Sequence, residues 1–276
     1  MKFHTKHLLA KMLLIAVTFT ACKQEKKASE TETTTDQVET EVKEEVAKPE
    51  IILDKLEGSP AYADATLILD TPEEIVAKAS GEMDFSFKVE NYELGAQTTG
   101  PNPEKLANSG KGQHIHFILN NQPYSAHYEP TFKKEIPDGV HHLVAFLSRS
   151  FHESVKNENS VVVRKVVVGE NPKDTIGLDM KAPTLIYSRP KGEYSGKGTE
   201  QVLLDFFVLN TELSPEGNKV RATINDKVYM LTEWTPYVMK GLPKGEVTIQ
   251  LELIDAEGNL IPGPFNNVKR TVTLKE

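Results

Sequence analysis

The strongest constraint on this chain's fold is that it matches itself. Thr66-Leu67-Ile68-Leu69 with Pro72 returns as Thr184-Leu185-Ile186-Tyr187 with Pro190, and Phe87-Lys88-Val89-Glu90-Asn91-Tyr92-Glu93-Leu94 returns as Phe206-Phe207-Val208-Leu209-Asn210-Thr211-Glu212-Leu213. The order continues. Segment 112–124 runs beside 217–229 and shares Asn120 with Asn225, Pro137-Asp138-Gly139 pairs with Pro243-Lys244-Gly245, and Arg164 pairs with Arg270. Any two β domains share alternating patterns and turn residues, but not collinear order, so this is a duplicated unit. The stretch 57–276 suits two domains of roughly 100 residues each. Their boundaries are set at 57–170 and 182–276, with a connector through Glu170-Asn171-Pro172-Lys173-Asp174.

Each copy reads as short alternating strands separated by turn residues. In the second copy these are 202–209, 219–224, 247–253 and 268–274, set off by Asn225-Asp226, Pro243-Lys244-Gly245 and Glu257-Gly258-Asn259. The pattern predicts an all-β chain with two tandem Ig-like antiparallel sandwiches. A helix is arguable only at 72–78 and, more weakly, at 103–108.

The residues ahead of the repeats have another character. Lys2, Lys6 and Lys11 precede the apolar run Met12-Leu13-Leu14-Ile15-Ala16-Val17, which is too short to span a bilayer and ends at Ala21-Cys22. This predicts a signal peptide over 1–22. Segment 23–56 is rich in Glu, Lys and Thr and reads as a disordered acidic tether. Cys22 is the single cysteine, so the body can hold no disulfide and no thiolate chemistry. A net charge of −8 argues against nucleic acid as a partner.

Five of the eight histidines lie between His114 and His142, and His152 follows shortly after. Their counterparts in the second copy are Lys219, Arg221, Thr232, Val247, Thr248 and Gly258, so the scaffold does not require them. The second copy also fixes facing: Val220, Ala222 and Ile224 must point inward, which sends Ile115, Phe117 and Leu119 inward and His114 and His116 outward. On the other strand His141, Leu143, Ala145 and Leu147 go inward, and His142, Val144 and Phe146 outward. His114, His116, His142, Val144 and Phe146 are therefore expected to form an exposed face that docks a protein or peptide partner. Alternatively His114, His116 and His142 share a Zn or Cu ion, since imidazole suits both. Ser148 or Ser150 with His152 lacks a nucleophile elbow, and no enzyme is expected.

Further motifs carry a resemblance. Ser148-Arg149-Ser150-Phe151-His152 resembles the Ser-Arg-x-His core of forkhead-associated phosphopeptide modules, with Ser148, Arg149 and His152 as the phosphate-holding groups. Phe19-Thr20-Ala21-Cys22 resembles the lipobox of bacterial lipoproteins. Together with Gly112-Gln113-His114-Ile115-His116-Phe117, Tyr128-Glu129-Pro130 and Gly139-Val140-His141, these segments are similar to a family of Bacteroidota lipoproteins with two β domains, often labelled phosphopeptide-binding. The resemblance implies lipidation at Cys22 and attachment to a membrane through that lipid. Lys23 in place of Asp after the Cys favours the outer membrane of the envelope, and the family supplies no reaction.

Overall fold

The structure, a computed structural model, describes residues 50–276; Cys22 and the tether up to residue 49 lie outside them. In chain order the strands are β1 (Ile52–Lys55), β2 (Thr66–Leu69), β3 (Glu74–Ala77), β4 (Gly81–Glu90), β5 (His114–Leu119), β6 (Ser125–His127), β7 (Thr131–Ile136), β8 (Gly139–Ser148) and β9 (Val161–Val168). The second half adds β10 (Thr184–Arg189), β11 (Glu193–Tyr194), β12 (Gln201–Leu209), β13 (Lys219–Ile224), β14 (Lys227–Leu231), β15 (Tyr237–Lys240), β16 (Gly245–Ile254) and β17 (Asn267–Leu274). A one-turn α-helix, α1 (Asn102–Lys105), lies within the longer loop by which the first copy exceeds the second, and short 3-10 turns occur at Glu158–Ser160 and Gly196–Thr199.

Both halves are Ig-like sandwiches with the same connectivity. The first packs β2-β4-β7 against β3-β9-β8-β5-β6, and the second packs β10-β12-β15 against β11-β17-β16-β13-β14. Even the short parallel pairing recurs, β3 with β9 and β11 with β17. The duplication reaches single bonds. Asn120 and Asn225 both sit at positive φ, 51° in each, in the left-handed region that asparagine tolerates. Asn120 N donates to His142 O at 2.8 Å and its Oδ1 accepts from His142 N at 2.9 Å; Asn225 makes the same two bonds to Thr248 at 2.8 and 3.0 Å.

The two sandwiches have separate cores. Ile115, Phe117, Leu143, Ala145 and Leu147 lie in the first, and Val220, Ala222, Ile224, Val247, Ile249 and Leu251 in the second. The facing read from alternation is therefore correct on both strands.

Two local expectations fail. Segment 72–78 is not helical: Glu74–Ala77 is β3, where β-branched Ile75 and Val76 suit a pleated strand. The tether does not run to residue 56 either. Ile51 is buried in the second sandwich's core and Ile52–Lys55 pairs antiparallel with β15, so the residues just ahead of the first domain complete a sheet of the second.

A third cluster joins the sandwiches. Ile118, Tyr124, Val144 and Phe146 from the first meet Ile186 and Phe207 from the second, with Trp234 at the margin. The Phe146 and Phe207 rings stack with centroids 4.7 Å apart. Burying each such side chain contributes roughly 1.5–3 kcal/mol. The outer face of the first domain's larger sheet is thus covered by the outer faces of β10 and β12.

Candidate metal centre

That covering corrects the exposed docking face. His114, His116, Val144 and Phe146 are fully buried, and His142 is nearly so at 3% exposure. The physical reason also accounts for the His-to-Lys and His-to-Arg differences between copies. The equivalent face of the second domain meets solvent, where Arg221 pairs with Glu252 at 2.8 Å.

Register separates the predicted trio. In the antiparallel pairing of β5 with β8, His114 lies opposite Ser148 and His116 opposite Phe146. His142 lies beyond Leu143, against Asn120, at the far end of the strand. Its ring stacks on Phe265 of the second domain at 5.6 Å, and burial pushes its pKa down to about 4. His142 is no part of any cluster with His114 and His116.

The same register supplies a different third histidine. Since Ser148 faces His114, the tight turn that follows β8 folds back over β5. Arg149 N donates to Glu153 O at 2.8 Å, and His152 N donates to Arg149 O at 2.8 Å. His152, at φ 71°, then directs its ring into the space beside His114. His114 Nε2 lies 3.0 Å from His116 Nε2 and 3.1 Å from His152 Nδ1. One ring nitrogen from each of the three lies within 4.8 Å of the others.

Hydrogen bonding fixes what these nitrogens offer. His114 Nδ1 contacts the Gly112 carbonyl at 2.8 Å; a carbonyl only accepts, so Nδ1 carries the hydrogen. Burial lowers the His114 pKa to about 4 and, with the neighbouring charges, holds His116 and His152 well below the usual imidazole range. Neutral His114 therefore presents a bare Nε2 with one lone pair to two imidazole neighbours, and one lone pair cannot take both as donors. A cation between the rings would satisfy all three. The separations of 3.0 and 3.1 Å approach the ~3.3 Å between nitrogens on a tetrahedral ion at about 2.0–2.1 Å.

The surroundings are ordered. The Tyr124 ring stacks on His116 at 3.5 Å, and its hydroxyl lies 3.2 Å from His152 Nδ1. Ser188 Oγ, from the second domain, lies 3.2 Å from His116 Nδ1, and so orients this ring as Gly112 orients His114. Lys191 Nζ donates to Tyr124 O at 2.6 Å and sits 4.0 Å from the Tyr124 ring centroid.

The phosphate reading of this turn fails on geometry. Arg149 is buried at 4% exposure and pairs with Glu153 at 3.0 Å, while its other donors go to the carbonyls of Pro60 and Ser154. Ser148 is fully buried, with its hydroxyl on Arg149 O. Neither group is free for a phosphate, and of that trio only His152 reaches the cluster. Tyr124 had no distinguishing signal in the sequence. His152 did: its counterpart is Gly258, and both are left-handed, at φ 71° and 89°.

No family model matches the chain, and no curated protein is significantly similar to it. Solved structures similar to it include fibronectin(III)-like modules of Clostridium thermocellum CbhA, at 15% identity and TM-score 0.27, covering 76% of this chain and 94% of that one. The central fibronectin-III array of RIM-binding protein is 11% identical at TM-score 0.23, covering 76% and 68%. The two tandem V-type regions of VCBP3 are 10% identical at TM-score 0.22, covering 77% and 99%. Likenesses this distant bear on neither ligand nor activity.

Proposed function

We propose that this chain is an exported lipoprotein, attached to the envelope through Cys22, whose two-domain body binds one transition-metal ion, Cu or Zn, at His114, His116 and His152. The observation that carries the reading is the convergence of three neutral ring nitrogens on one point, two of them with their second nitrogen engaged by Gly112 and Ser188. Docking of a peptide through the outer face of the first domain has lost its support, because the second domain occupies that face. Metal analysis of untagged protein tests the proposal: about one ion per chain is expected, falling to none when His152 is replaced by Gln. A metal-free wild-type protein that takes up neither ion on reconstitution would end it.

A further inference from the structure

We infer that the ion held by His114, His116 and His152 is monovalent copper rather than zinc; this rests on the metal-binding reading above and names its ligand. The argument is one of charge. Among the described residues no Asp, Glu or Cys joins the three ring nitrogens, so every donor is neutral. The nearest turn supplies a carboxylate, Glu153, but it is committed to Arg149. Asp205, across the domain boundary, is committed to Lys156 at 2.7 Å.

The fixed charges near the site are positive. Lys191 lies against one side of the Tyr124 ring, at 4.0 Å, and His116 stacks on that ring at 3.5 Å. The guanidinium of buried Arg189 lies 5.7 Å from the same ring. The positive field of both side chains reaches all three histidines. A doubly charged ion would enter a buried pocket with no compensating anion and two cations at its edge. The cost of burying a bare charge grows with its square, so the second unit of charge is the expensive one.

Coordination number points the same way. Zinc in proteins completes four ligands. Among the described residues, the further oxygen beside the converging nitrogens is the Tyr124 hydroxyl, 3.2 Å from His152 Nδ1, and a phenol is a weaker zinc donor than the carboxylate or thiolate the pocket lacks. Cuprous ion is filled by two or three imidazoles and carries one charge. The pocket offers three.

The test uses untagged protein carrying Cys22→Ser, so that no thiol competes. Oxygen-free protein kept reduced with ascorbate is titrated with Cu(I) against bicinchoninate, and separately with Zn(II) against a chromogenic chelator. One Cu(I) per chain is expected, bound on the order of a hundredfold more tightly than Zn(II). X-ray absorption of the copper form should show nitrogen scatterers only. Zn(II) binding as tightly as Cu(I) would overturn the copper inference and leave the metal-binding proposal standing, whereas failure of both ions to bind overturns both. Lys191→Glu gives an independent reading. By adding an anion it should raise the Zn(II)-to-Cu(I) affinity ratio about tenfold or more, with Lys191→Met showing the same direction more weakly should the glutamate perturb folding. An unchanged ratio in both variants would refute the charge argument.

Discussion

Asn121 acts as a ladder partner for Tyr187: its side-chain Oδ1 accepts from Tyr187 N at 2.8 Å, across the boundary between the two sandwiches. Its Nδ2 donates to Leu185 O at 3.0 Å, so one buried amide satisfies the outer edge of β10. Replacing Asn121 with Leu leaves an N–H and a C=O orphaned in an apolar interface. The expected cost is about 2–4 kcal/mol in urea unfolding. A variant within about 0.5 kcal/mol of wild type would show that water reaches this edge.

Lys156 and Asp205 form the second bolt. Asp205 is fully buried and accepts from Lys156 Nζ at 2.7 Å and from Ser154 Oγ at 3.0 Å. Lys156→Met strands the carboxylate and should destabilise by about 3–5 kcal/mol, while adding Asp205→Asn to it should recover a large part of the loss. A double-mutant cycle in denaturant measures both.

His142 makes stability depend on pH. Its folded pKa lies at about 4, below the ordinary value of 6.5, because the ring is buried against Phe265. The unfolded chain therefore takes up a proton first as pH falls. The contribution of His142 is complete above about 6.5 and is lost progressively toward 4. Its Nδ1 is buried with no hydrogen-bond partner among the described residues. His142→Phe should flatten this part of the acid limb, with ΔG of unfolding at pH 7 unchanged or higher. An equally steep limb between pH 6.5 and 4 would assign the sensitivity to the other buried histidines.

Metal should stabilise the folded body by mass action. Free ion at a hundred times its dissociation constant adds about 2.7 kcal/mol to unfolding in the absence of affinity for the unfolded chain. The gain should vanish in His152→Gln, whose ring is only partly buried and whose loss disturbs packing least. Calorimetry with and without a chelator reads this directly.

Cys22→Ser should move the protein from the membrane fraction to the soluble one. Persistence in the membrane fraction would sink the lipidation proposal.

The sequence carried the facing of each side chain further than its exposure. Val220, Ala222 and Ile224 alternate with Lys219, Arg221 and Thr223, so period-two reasoning oriented β13 and, through the repeat, β5. Alternation says which way a side chain points and nothing about what it meets. The missed signal lay in Leu143-Val144-Ala145-Phe146-Leu147, which is apolar on both faces, as strands buried on both sides are. The wrong third histidine came from treating adjacent strands as adjacent residues. In an antiparallel pair the partner moves backward as the chain moves forward, which carries His142 away from His114 and brings the turn after Ser148 onto it. Ile51-Ile52-Leu53 likewise stood out from the acidic residues before it, but its partner Tyr237–Lys240 lies on a strand of the other domain, beyond the reach of local pattern.

That pairing joins strands far apart in sequence. β1 precedes everything else in the folded body, yet β15, the strand it pairs with, follows only after the whole first sandwich and most of the second. Until the two pair, Ile51, Ile52 and Leu53 are an orphan strand, flanked by Glu50, Asp54 and Lys55, whose charges discourage pairing with the wrong edge. Closing so distant a contact is slow compared with folding of either sandwich on its own local contacts. The seam between Ile52–Lys55 and Tyr237–Lys240 thus ties the residues ahead of the first sandwich to a sheet of the second, and a cut made between the two domains would take a strand from the second along with the first.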